Sequence, residues 1–83
     1  MINCLEGTIG KMMSDDYKER FKAEYYQLKI RYDKLFDMLV KYEDGTLEFT
    51  PKCSIELLTQ QKNAMRTYLG CLEKRAEIEG IKL

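Results

Sequence analysis

Apolar and aromatic side chains recur every three or four positions along the first half of the chain. Steps of 4 or 3 residues place them on one stripe of a long α-helix. The stripe consists of Tyr17, Phe21, Tyr25, Leu28, Tyr32, Leu35, Leu39 and Tyr42. Ser14 is a suitable N-cap, Asp15 and Asp16 follow where the helix dipole favours negative charge, and Asp16 and Glu19 have capping-box spacing. The pattern predicts a helix over about residues 14 to 42.

A break separates this helix from a second one. The segment "EDGT", residues 43 to 46, favours a turn, and Pro51 disfavours helix in the residue before it. Ser54 then caps a helix predicted over about residues 54 to 79, and Gly80 is a natural stop. Its predicted seam consists of Leu58, Gln61, Met65, Tyr68, Leu72, Arg75 or Ala76, and Ile78. The apolar face is widened by Leu57, Ala64, Leu69 and Cys71, and Gly70 inside the helix suggests close approach of another helix.

Two amphipathic helices and a loop of about a dozen residues predict an all-α fold, an antiparallel two-helix hairpin. Residues 1 to 13 have no clear period and are expected to form a flexible N-terminal arm. Residues 14 to 83 then make one helical hairpin domain.

Two helices alone cannot enclose a core, and chains of this size usually need disulfides, a metal or partner subunits. We therefore expect a helical homo-oligomer. A second apolar stripe, the candidate interface, consists of Tyr26, Ile30, Phe36 and Val40. A small monomer with partly exposed aromatic rims is the alternative.

Composition excludes several classes of function. The 83 residues carry a formal net charge of zero, so we expect neither a DNA or RNA duplex nor a membrane as partner. There is no histidine and no CxxC motif, so we expect no metal site, no cofactor and no enzyme. Three cysteines without close pairing favour a reduced, cytoplasmic chain, and the first residues do not resemble a signal peptide.

A partly basic stripe lies beside the predicted seam. It consists of Arg20, Glu24, Gln27, Arg31, Lys34, Met38 and Lys41, and the second helix adds Lys62, Arg66, Lys74 and Arg75. A solvated face with ion pairs is one interpretation. An antiparallel hairpin also places Tyr17 and Arg20 beside Arg75, with Lys34 about 25 Å away. Two protomers packed head to tail could therefore hold one ligand, with Tyr17 stacking on a base and cations binding phosphates.

Two stretches resemble a known family when taken in order. They are "YKERFKAEYYQLKIRYDKL" and "LLTQQKNAMRTYLGCLEKRAEIEGI". Together they resemble, over about residues 15 to 81, the small phage hairpin family shared by anti-CBASS and anti-Thoeris signal sponges. The resemblance implies a non-enzymatic protein that oligomerises, often as a hexamer, and binds cyclic nucleotide second messengers without cleaving them. It would act in the cytoplasm of an infected bacterium and so deprive an immune effector of its activator.

The resemblance also implies a set of ligand-binding residues. Tyr17 matches the leading tyrosine of the family, a base-stacking position, and Arg20 and Arg75 match its arginines. The basic stretch of the first helix supplies Arg31 and Lys34, with Lys29 as a substitute for Arg31. Two alternatives stay open: a helical hairpin that binds and inhibits a host protein, and a purely structural phage component.

Overall fold

The computed structural model describes residues 16 to 83, which form two helices packed side by side. Helix α1 spans Tyr17–Asp44 and helix α2 spans Ile55–Glu79. Within the described range there is no strand, so the predicted all-α class is confirmed. The predicted arm, residues 1 to 13, and the predicted cap Ser14 lie outside the described residues.

Helix α1 begins three residues later and ends two residues later than its pattern predicts. Its N-cap is Asp16, whose carboxylate accepts hydrogen bonds from the backbone N–H groups of Lys18 at 2.8 Å and Glu19 at 3.4 Å. This contact satisfies two of the amide donors that a helix start leaves without partners. The helix ends where Gly45 adopts a φ of 74°, a left-handed conformation that favours glycine.

Helix α2 is bounded by the residues that the sequence indicates. The hydroxyl of Ser54 accepts a hydrogen bond from the backbone N–H of Leu57 at 3.2 Å. Gly80, with a φ of 70°, ends the helix, and its N–H donates to the carbonyl of Ala76. Ile81 therefore turns back onto the hairpin, where it is buried.

The core of the hairpin is small and lies nearer its open end, where α1 begins and α2 ends. The buried cluster consists of Phe21, Leu28, Leu69, Leu72, Ala76 and Ile81. The partly buried side chains of Tyr25, Tyr32 and Met65 pack against it. Burial of each large apolar side chain contributes about 1.5–3 kcal/mol to folding.

The seam predicted for α2 is wrong at Gln61, Tyr68 and Ile78, which are exposed, whereas its member Leu72 is fully buried. Leu69, assigned to the flank, is fully buried at 0% exposure, whereas Tyr68 and Ile78, assigned to the seam, are 44% and 76% exposed. Ala76, not Arg75, occupies the buried position between the helices. Leu69 and Ala76 bury no polar side-chain atom, whereas Tyr68 and Arg75 need partners for theirs and lie at the rim.

The structure corrects two other interpretations from the sequence, and it shows that the second apolar stripe is only partly exposed. A Cβ atom on Gly70 would meet nothing within 4 Å, so the approach of α1 does not explain this glycine. Cys71 is exposed and does not pack on an apolar face. Of the second apolar stripe, Tyr26 and Ile30 are partly buried, whereas Phe36 and Val40 are 45% and 40% exposed.

Neither described helix is long and apolar enough to span a membrane.

Candidate functional site

A concavity of about 340 Å³ lies at the open end of the hairpin. Its lining residues are Tyr17, Arg20, Phe21, Glu24 and Arg75. Three of the six ligand-binding residues proposed from the sequence, Tyr17, Arg20 and Arg75, therefore share one surface. The antiparallel packing brings them together, since α1 begins where α2 ends.

Arg75 is held by three neighbours around this concavity. Its Nη2 donates a hydrogen bond of 2.8 Å to the hydroxyl of Tyr17, and its Nε lies 3.6 Å from the carboxylate of Glu79. The guanidinium also lies over the ring of Phe21, 4.9 Å from the ring centroid. The hydrogen bond to Tyr17 raises the pKa of Arg75 above its ordinary value.

Tyr17, the first residue of α1, contacts two residues near the end of α2. Its hydroxyl donates to the Oε1 atom of Glu79 at 2.9 Å while it accepts from Arg75. Its ring is tilted against that of Phe21, with centroids 6.2 Å apart. Because the residue is still 46% exposed, part of its surface remains open to a second flat ring.

Two carboxylates near the concavity offset the positive charges of its two arginines. Glu24 accepts a hydrogen bond from the hydroxyl of Tyr68, and Glu79 accepts one from Tyr17. Sequence reasoning did not single out Glu24 or Glu79 as site residues. The one signal available for Glu79 was its position four residues after Arg75, the spacing of an ion pair on a helix.

The remaining three proposed residues lie elsewhere on α1. Lys29 forms an ion pair of 2.9 Å with Asp33 and lies 5.8 Å from the ring centroid of Tyr32. Arg31 and Lys34 are exposed, and their side chains form no hydrogen bond or ion pair within residues 16 to 83. One chain therefore does not bring these three cations to the Tyr17 concavity.

A polar contact crosses between the two helices about two turns from the open end of the hairpin. The hydroxyl of Tyr25 donates to the Oε2 atom of Glu73 at 2.9 Å, and Arg66 lies 3.9 Å from the same carboxylate. Burial and the hydrogen bond to Glu73 raise the pKa of Tyr25 to about 12. The residue is thus a neutral hydrogen-bond donor at physiological pH.

A second concavity, of about 200 Å³, lies toward the loop end. Its lining includes Phe36, Val40, Ile55 and Lys62, and the Nζ atom of Lys62 lies 5.6 Å from the ring centroid of Phe36. This surface is mainly apolar, and Lys62 and Glu43 give it one charge of each sign. No group of three metal-ligating side chains occurs among the residues that the structure describes.

Comparison with known proteins gives one match. A family model described as Sequestin matches residues 15–78, more than half of the chain. The matched range includes Tyr17, Arg20 and Arg75 and ends one residue before Glu79. No curated protein and no solved structure matches the chain.

Proposed function

The chain belongs to the Sequestin family, whose description denotes the binding and holding of a partner, and we propose that this partner is a cyclic nucleotide. In this proposal the protein is phage-encoded and acts in the cytoplasm of the infected bacterium. It holds a cyclic nucleotide second messenger without cleaving it, so the messenger does not reach the immune effector that it activates. The active form is a homo-oligomer, and the resemblance favours a hexamer.

The concavity at the open end is the observation that carries this proposal. A cyclic nucleotide presents flat bases and anionic phosphodiester groups. Tyr17 offers a partly exposed aromatic surface, and Arg20 and Arg75 line the same concavity. Stacking on an aromatic ring and hydrogen bonds from a guanidinium are the contacts that such a ligand needs.

The residues of this concavity favour binding over catalysis. Glu24 and Glu79 accept hydrogen bonds from the hydroxyls of Tyr68 and Tyr17, and no serine, threonine or cysteine is among the described residues that line the concavity. Hydrolysis of a phosphodiester would require an activated nucleophile as well as charge stabilisation. We therefore expect that bound ligand is released chemically unchanged.

A second protomer would complete the binding site. The concavity of about 340 Å³ is near the lower end of the range of pockets that enclose a small ligand, and it is open on one side. Arg31 and Lys34 lie about 21 Å and about 25 Å along α1 from Tyr17, and their side chains lack a partner in the described chain. Head-to-tail packing of two protomers would bring these cations to the phosphates of a ligand that is stacked on Tyr17.

Native mass spectrometry after purification from a bacterium that makes such messengers tests this proposal. We expect an oligomer whose mass exceeds that of its subunits by whole numbers of one cyclic nucleotide. An assembly that carries no small molecule, and takes up none from a panel of pure cyclic nucleotides, would contradict it.

A second candidate function, binding of a host protein, is favoured by a different surface. At the loop end Tyr42, Phe49 and Leu57 are 47%, 58% and 53% exposed, and large exposed apolar side chains are common at protein interfaces. A pull-down from bacterial lysate separates the two candidates. A stoichiometric host protein, captured without any retained nucleotide, would favour this second function.

A further inference from the structure

The concavity at the open end carries charges of both signs, and they lie at different places along the helices. Its lining on α1 begins at Tyr17 and ends at Glu24, one heptad and about 10 Å further along the helix. The two arginines lie between these ends. Arg20 is on α1, and Arg75 reaches from α2 to the hydroxyl of Tyr17 and over the ring of Phe21. The carboxylate of Glu24 therefore forms the inner end of the concavity, toward the middle of the hairpin.

Glu24 is held in place from the second helix. Its Oε2 atom accepts a hydrogen bond from the hydroxyl of Tyr68, and the residue is partly buried. A carboxylate has about four acceptor sites, so this contact leaves Glu24 able to accept further hydrogen bonds. The pKa of Arg75 is raised chiefly by its hydrogen bond to Tyr17, and the negative charge of Glu24 adds to this effect. The carboxylate is thus close enough to act on the same ligand as the guanidinium.

A carboxylate at the inner end limits what a bound cyclic nucleotide can place there. Glu24 repels a phosphodiester group, whereas Arg20 and Arg75 attract it. A group beside Glu24 must instead donate hydrogen bonds. In a cyclic nucleotide the donors are the N–H groups of the bases and the free hydroxyls of the riboses. The concavity therefore fits a ligand that is anionic in one part and a hydrogen-bond donor in another.

The common bases differ in how well their edges match a carboxylate. Guanine presents two neighbouring donors, N1–H and the N2 amino group, which match the two oxygens of a carboxylate. Adenine and cytosine place an acceptor nitrogen of the ring beside their amino group, and uracil has one N–H between two carbonyl oxygens. Each of these three edges turns at least one acceptor toward the carboxylate. An acceptor that loses water without gaining a donor costs free energy of binding.

We propose that Glu24 makes the concavity selective for cyclic nucleotides that contain guanine, by accepting hydrogen bonds from N1–H and the N2 amino group. The aromatic ring of Tyr17 and the two arginines bind base and phosphate of any such ligand, and Glu24 distinguishes one base from another. Tyr68 is a positioning residue, because its hydroxyl orients the carboxylate. This inference rests on the proposed function, since it assigns the ligand of the same concavity.

Two ligands that differ by one donor test this selectivity. Cyclic di-GMP and cyclic di-IMP have the same fused rings, riboses and phosphates, and the second lacks only the N2 amino groups. In calorimetric titration of the wild type, the affinity for cyclic di-GMP should be higher by about fivefold or more, the lower end of the discrimination that a bidentate base contact provides. The riboses are identical, so a contact of Glu24 with a ribose hydroxyl would give equal affinities.

Glu24→Gln tests whether this residue is responsible. The amide keeps the size of the side chain and an oxygen that can accept from Tyr68, but a donor replaces its second oxygen. The preference for cyclic di-GMP should therefore disappear, even where loss of the charge changes both affinities. Tyr68→Phe keeps the carboxylate but removes the hydroxyl that orients it, and should reduce the preference in part.

Glu79→Gln is the matched control for these variants. It also removes a carboxylate close to Arg75, at 3.6 Å, but at the open end of the concavity. Both affinities should change by the same factor, so the preference should persist. Circular dichroism shows whether each variant keeps the helical content of the wild type.

The results that would overturn this inference differ from those that would overturn the proposed function. Equal affinity of the wild type for the two ligands would exclude a contact with the N2 amino group. A preference that persists in Glu24→Gln would assign that contact to another residue. Binding of a cyclic nucleotide without guanine, together with no binding of cyclic di-GMP, would overturn the selectivity while the proposed function stands. Failure of every cyclic nucleotide to bind would overturn both.

Discussion

Arg75 donates a hydrogen bond of 2.8 Å to the hydroxyl of Tyr17, across 58 positions of sequence. Glu79 accepts from the same hydroxyl at 2.9 Å. The aromatic ring and the cation proposed to bind ligand are thus positioned against one another by the hairpin fold itself. Such preorganisation reduces the entropy lost when a ligand binds.

The ring of Tyr17 should supply a large part of the affinity for a cyclic nucleotide. Loss of one stacked aromatic ring costs about 1–3 kcal/mol, so Tyr17→Ala should weaken binding by about 5- to 150-fold. Tyr17→Phe keeps the ring but removes the hydroxyl that orients Arg75, and should weaken binding less. Calorimetry measures both, with Tyr42→Ala, an exposed tyrosine at the loop end, as the control. Unchanged affinity of Tyr17→Ala would exclude this tyrosine from the site.

Glu79 should limit the affinity of the site for anions. Its carboxylate lies 3.6 Å from Arg75 and competes with a ligand phosphate for the guanidinium. Glu79→Gln keeps a similar shape and should tighten binding by up to about fivefold, the range of an exposed ion pair. The gain should shrink at high salt.

Glu77→Gln is the matched control for this change. It removes the same charge from the same end of α2, at an exposed residue that makes neither of the contacts by which Glu79 holds Tyr17 and Arg75. Equal effects of the two variants would indicate that the total negative charge at this end of α2 limits binding, and not the contact of Glu79 with Arg75. Weaker binding by Glu79→Gln would instead show that the carboxylate is needed to orient Tyr17.

Stability should fall at high pH through the contact of Tyr25 with Glu73. The pKa of Tyr25 is raised from 10.0 to about 12 in the folded chain, chiefly by burial and by its hydrogen bond to Glu73. A raised folded pKa stabilises the fold below the unfolded pKa of 10.0, and this contribution is lost as the pH rises toward about 12. Urea unfolding should therefore show a steeper loss of stability between these pH values for the wild type than for Tyr25→Phe. Identical pH dependence would contradict a role of this hydroxyl in folding.

The position of the seam on α2 can be tested by one core substitution. Leu69 is fully buried, so Leu69→Ala should lower the free energy of unfolding by about 2–5 kcal/mol. The control Gln60→Ala changes an exposed residue of the same helix and should alter it by less than about 0.5 kcal/mol. A small effect of Leu69→Ala would contradict the packing described for this helix.

The two helices differ in how far sequence alone predicts their packing. Helix α1 has one dominant stripe, and two of its members, Phe21 and Leu28, are part of the buried cluster. Helix α2 has two adjacent stripes with the same heptad spacing, and periodicity does not decide between Tyr68 and Leu69. Packing decides it, since Leu69 fills the space against α1 and Tyr68 reaches Glu24 at the rim.

The same contrast holds for the candidate site. That Tyr17 lies near Arg75 follows from an antiparallel hairpin with these helix ends. The role of Glu79 cannot be predicted in this way, because a carboxylate near a helix end is usually just exposed to solvent. Only the side-chain contacts with Tyr17 and Arg75 distinguish it from Glu77.

Calorimetric titration of the purified protein tests the central claim most directly. The ligands are cyclic dinucleotides, cyclic trinucleotides and isomers of cyclic ADP-ribose, and the ligand recovered from the complex is identified by mass. We expect at least one of them to bind with a fixed stoichiometry per oligomer and to be recovered chemically unchanged. The absence of binding by every member of the panel, or recovery of a cleaved product, would contradict the account.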